Sequence, residues 1–115
     1  MITSSGLRVF LAPGYTDMRK SIDGLSILID EYDLNPFSGS LFVFCNRCCD
    51  KLKILYWDRN GFCLWYKRLE KHRFRWPRSA AEVREIERRE LDWLLAGLDL
   101  NQPLAHGFLK YDLSA

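Results

Sequence analysis

The apolar and polar positions of the chain divide it into short elements. Leu7, Val9 and Leu11 alternate with Arg8 and Phe10, and Pro13-Gly14 follows, so Leu7 to Leu11 reads as a strand. Thr16 is placed to cap a helix, with Asp17 in a first turn where the helix dipole favours an acid. Met18, Ile22, Leu25, Leu28, Ile29 and Tyr32 then recur at spacings of three and four, one apolar stripe that Asn35-Pro36 ends. Leu41 to Cys45 is a continuous apolar run of strand length. Lys51 to Trp57 and Phe62 to Leu69 are two further strands joined by Asp58-Arg59-Asn60-Gly61. A turn centred on Asn60-Gly61 and a four-residue loop give different registers, and the pattern leaves both open. Arg73 to Trp76 is a candidate extended piece before Pro77.

In the last third, Val83, Ile86, Leu91, Leu94, Leu95 and Leu98 almost fit one helix, but the step from Ile86 to Leu91 breaks the stripe. The better division is a short extended segment, Val83 to Ile86, then a helix from about Arg88 to Ala96 ended by Gly97. The order predicts an α+β domain: a mainly antiparallel sheet of four to five strands, with a helix after the first strand and a C-terminal helix. Residues 1–100 are read as this single domain and 101–115 as a C-terminal tail.

Apolar content of 48% and charged content of 28% over 115 residues are those of a folded domain with a small core. No apolar run reaches the roughly 20 residues that span a bilayer, and Met1 to Gly6 lacks the basic start of a secretory signal. Four cysteines without an export signal point to reduced thiols. The expectation is a cytoplasmic protein with no membrane partner.

Charge changes this picture most. The chain's net charge is only +2, but residues 45–78 hold ten lysines and arginines against three carboxylates, a local +7. Residues 1–44 carry −2 and residues 79–115 carry −3. A one-signed block between acidic flanks is the footprint of a polyanion partner. Arg47, Lys51, Lys53, Arg59, Lys67, Arg68, Lys71, Arg73 and Arg75 are the candidate nucleic-acid contacts, the alternative being a solvated sheet face. Trp57, Trp65, Tyr66, Phe74 and Trp76 could stack on unpaired bases, although aromatics at strand positions are more often core.

Several strings carry a family resemblance: GYTDMRKSIDGL from Gly14, NPFSGSLFVFCNR from Asn35, DKLKILYWDRNGFCLWYKRLEKHRFRWP from Asp50, and LDWLLAGLD ending at Asp99. Together they resemble the small TnpB accessory protein encoded by the second open reading frame of IS-sixty-six-type insertion sequences, which is not the RNA-guided nuclease of the same name. The likeness spans nearly all of residues 7–99. It implies help to transposition beside a separate, larger DDE-type transposase of the same element. The chain departs from the family pattern at Cys45, Cys48 and Cys49, where glycine and arginine-rich residues are usual, and at Ser21 and Ile22, commonly glycine and phenylalanine.

Little points to catalysis. Asp17, Asp23, Asp58 and Asp99 have no spacing that would pair them on one face for metal ions, and no phosphate loop or nucleophile elbow occurs. Cys45, Cys48 and Cys49 with Cys63 or His72 could supply zinc ligands, but a second close pair is missing. No catalytic residue, metal or cofactor is therefore expected. The sequence reads as a non-catalytic accessory factor that binds DNA through its basic hairpin. The alternative is an adaptor docking on the transposase without touching DNA. Asp17, Arg19 and Lys20, around the first helix, and Leu91 and Leu95, on the last, are the candidate partner-binding residues.

Overall fold

The computed structural model of the chain describes residues 7–77 and 82–97. Arg78, Leu98 and the expected tail 101–115 lie outside them. The described residues form five strands and two helices: β1 (Val9–Leu11), α1 (Ile22–Glu31), β2 (Leu41–Cys45), β3 (Lys51–Asp58), β4 (Gly61–Arg68), β5 (Arg84–Ile86) and α2 (Arg88–Leu95). The strands make one sheet in the order β4-β3-β2-β1-β5. Only β1 and β2 run parallel, joined through α1, and the other three pairings are antiparallel. The predicted α+β architecture is the observed one.

The middle of the sheet is covered on both sides, which explains why Leu41 to Cys45 is apolar without alternation. On one face Phe10, Ala12, Phe42, Phe44 and Leu55 pack against Leu25 and Ile29 of α1. On the other, Val9, Leu11, Val43, Leu52 and Ile54 pack against Leu91 and Leu94 of α2 and against Phe74 and Trp76. The segment holding those two aromatics is a strap rather than a strand. It is tied down where the Phe74 N–H donates to the Cys49 carbonyl (2.7 Å) and the Trp76 indole donates to the Gly14 carbonyl (2.8 Å).

The hairpin takes the register of the four-residue loop, Trp57 opposite Phe62, tightened by pairing Asp58 with Gly61. This places Leu55 opposite Leu64 and Ile54 opposite Trp65. A turn centred on Asn60-Gly61 would instead set Ile54 against Lys67, losing those apolar cross-strand contacts. Arg59 therefore occupies the tip in the left-handed region, at φ 54°.

The first helix departs from its expected start. Thr16 does not cap it: Thr16 is buried, and its N–H donates to the Cys45 carbonyl at 2.8 Å, extending the path of β1 beside β2. Asp17 instead caps a tight turn, accepting from the Arg19 N–H at 2.9 Å, and α1 begins only after Ser21. A long-range backbone bond thus wins over a local cap. At the other end, Asp33 sits at φ 61°, and the Leu34 N–H reaches back to the Ile29 carbonyl at 3.2 Å. Such helix ends favour glycine, and an acid also opposes the negative end of the helix dipole. Asp33→Gly is expected to stabilise the protein by about 0.5–1 kcal/mol, read as a raised urea midpoint; an unchanged or lowered midpoint would count against this account.

Candidate nucleic-acid interface

Strand direction decides which cations meet. Because β1 and β2 run parallel, β3 reverses and β4 turns back again, the ends of β1, β2 and β4 and the start of β3 share one end of the sheet. Lys51 pairs with Arg68 and Leu52 with Lys67 there. The Asn46 to Asp50 turn presents Arg47 beside them, and the strap brings Arg73 and Arg75 alongside. Arg59 lies at the opposite end, about 23 Å away along an eight-residue strand. The sequence-predicted list is thus divided, with Arg59 apart from the rest.

Two open grooves shape this end, each of about 930 Å³. The first lies on the α1 side, between Tyr15 to Arg19, Asn46 to Cys48, and Lys51, Lys53 and Tyr66. The second runs along the strap, past His72, Arg73 and Arg75 to Ala96 and Gly97. Tyr15, Arg47 and Cys48 border both, so the two are continuous.

The cations differ in how free they are. Lys53 donates to the carbonyls of Met18 and Lys20, both at 2.8 Å, and so fastens the segment that leads into α1. Lys67 points to the other face and donates to the Leu95 carbonyl at the C-terminal end of α2 (3.1 Å), where the helix dipole favours a cation. Both hold backbone, and among the described residues neither pairs with a carboxylate. Arg68 pairs with Glu70 at 2.8 Å, and Arg19 with Asp17 at 2.7 Å. The Arg19 side-chain and backbone hydrogen bonds hold the Asp17 carboxyl down at about 2. Among the described residues, Arg47, Lys51, Lys71, Arg73 and Arg75 form no ion pair. Lys20 is exposed just before α1.

Asn46, which sequence reasoning missed, organises the turn. Its side-chain carbonyl accepts from the Asp50 and Lys51 N–H groups at 3.1 and 3.0 Å, and its amide donates to the Asp50 carboxylate at 2.7 Å. The Asn46 bond, more than any other cause, pulls the Asp50 carboxyl below its ordinary range, with Lys51 and Arg73 contributing. Cys49 takes the left-handed conformation in this turn, at φ 56°. An asparagine directly after a buried strand was the available signal.

The other candidates separate. Leu91 and Leu94 are fully buried in this chain's own core and Leu95 is half-buried, so α2 offers no exposed apolar stripe to a partner. Cys45 is buried, and desolvation, with Cys49 adding to it, pushes its thiol up. Cys63 sits opposite Tyr56 in mid-hairpin, and among the described residues no three His, Cys, Asp or Glu are grouped to hold a metal ion.

The family described as IS66 Orf2 like protein matches residues 7–105. The chain belongs to that family. Its members are transposition-associated accessory proteins of insertion sequences. The uncharacterized protein y4hO of Sinorhizobium fredii (strain NBRC 101917 / NGR234) is 38% identical over 102 residues, covering 88% of this chain and 89% of that protein. The uncharacterized protein y4jC of the same strain is 36% identical over 97 residues, covering 84% and 83%. No solved structure matches. Among the described residues, this IS66 Orf2-like chain has no helix long and apolar enough to cross a membrane. Asn46→Ala should cost about 1–3 kcal/mol in urea unfolding, the loss expected when a network of turn hydrogen bonds is left unmade; a cost under about 0.5 kcal/mol would mean that Asn46 does not organise the turn.

Proposed function

We propose that the chain is a non-catalytic accessory factor that binds the DNA of its insertion sequence through the basic end of its sheet. The observation that carries this reading is the gathering of Arg47, Lys51, Arg73 and Arg75 on one continuous grooved surface, with no ion pair to a carboxylate among the described residues. Lys51 faces Arg68 across the β3–β4 pair; Glu70 engages Arg68, which leaves Lys51, among the described residues, to an anion from outside. Phosphates would supply that anion, and counterion release would make the affinity salt-dependent.

The reading is tested by DNA binding across a salt series. Arg47→Glu, Arg73→Glu and Arg75→Glu should each weaken binding to all sequences alike. Each should also lower the magnitude of the salt slope by about 0.9. Arg59→Glu, at the far end of the hairpin, should leave affinity within about twofold. An effect of Arg59→Glu equal to the others would refute this placement of the interface, and binding indifferent to salt would refute the phosphate contacts.

The same reading has the factor working beside the transposase of its element. A direct contact is supported by Ile27 and Phe37, the most exposed large apolar side chains described, which share a groove with Asp30 and Asp33. That surface suits an apolar segment carrying basic residues. Co-purification that survives nuclease treatment and is lost on Ile27→Asp is the expected outcome. Loss of the transposase on nuclease treatment alone would mean that DNA bridges the two.

A further inference from the structure

The aromatic side chains of the basic region are mostly accounted for by packing. Phe74 and Trp76, which belong to the strap, are buried against the sheet. Trp57 and Phe62 pack edge to face at 5.0 Å, with Phe37 against both, near the hairpin tip. Tyr56 and Trp65 pack on the core beneath α2. Tyr66 is different: it is 49% exposed, and the Lys53 ammonium lies 6.0 Å from its ring centroid. Tyr15, outside the basic block in sequence, is 41% exposed. Both line the same groove as Arg47, Lys51 and Lys53.

Duplex DNA stacks its bases on one another and presents phosphates and groove edges, so a duplex-binding surface has no need of exposed rings. Bases out of the stack offer π faces, and proteins that take them combine cationic grooves with accessible aromatics. The groove also has the size of a ligand site, at the upper end of the roughly 300–1,000 Å³ range. We infer that this groove receives unpaired nucleotides, with Tyr15 and Tyr66 as the stacking groups and Arg47 and Lys51 on the phosphates. The ligand class is therefore a DNA strand opened from its duplex. The inference rests on the DNA-binding reading above and narrows it.

Anisotropy of the full chain with a labelled oligothymidine and with a duplex of equal length separates the two readings. The single strand should bind more tightly at matched salt. Tyr15→Ala and Tyr66→Ala should each weaken single-strand binding roughly fivefold or more, the equivalent of one lost stack of about 1 kcal/mol, while duplex binding stays within about twofold. Tyr66→Phe, which keeps the ring, should bind like the parent. An unchanged melting temperature establishes that the alanine variants are folded. If the tyrosine variants bind single strands normally, or lose both DNA forms equally, the inference is overturned. Should Arg73→Glu still weaken both forms in that case, the broader DNA-binding reading survives alone. Failure of the parent to bind either form removes both.

Discussion

The architecture follows from one burial requirement: the short strands β1 and β2, apolar on both faces, must be covered on both. A parallel pair needs a crossover, and α1 supplies it while covering one face. The other face has no crossover helix, so the chain returns late, with α2 and the strap, to close it. Both covers lie over the middle of the sheet. The ends of the strands, and the turns that join them, are left to polar and charged residues.

That division sorts the cations. Some of them serve the fold: Lys53 fastens the segment before α1, and Lys67 anchors the last turn of α2. Lysine suits both tasks, because three donors on a flexible stem can satisfy backbone carbonyls, in the loop before α1 for Lys53 and at a helix end for Lys67. The arginines of the turn and strap have no such internal duty among the described residues. They stand where three separate pieces of chain, the β2–β3 turn, the strap and the Pro13–Asp17 connection, arrive at the same end of the sheet. A charged surface assembled from distant segments is held by tertiary contacts, so its geometry depends on the whole core.

Much of the fold was legible in the chain because burial on two faces, burial on one, and helical burial leave different periodicities. LFVFC and the α1 stripe each carry their own signature, and the turn residues between the apolar runs of β3 and β4 mark the hairpin. The broken step between Ile86 and Leu91 was enough to separate β5 from α2. What local pattern could not reveal is competition from distant backbone. Thr16 looks like a cap, and only its pairing with Cys45 removes it from that role. The site was legible as a block of charge, yet a lysine bonded to carbonyls reads the same as one facing water. Arg59 stands apart because it sits at the hairpin tip, a place that either register gives it. Tyr15 was invisible because it meets the basic block only through the parallel pairing of β1 with β2.

The first strand is flanked by β2 on one side and, on the other, by β5, a segment made more than seventy residues later. While the chain is being synthesised, β1 keeps an unpaired edge and one uncovered apolar face until Arg84 to Leu94 leave the ribosome. The nascent polypeptide can close its local hairpin early but cannot finish its core. A chain interrupted before that point would expose a sticky strand rather than yield a shorter working protein.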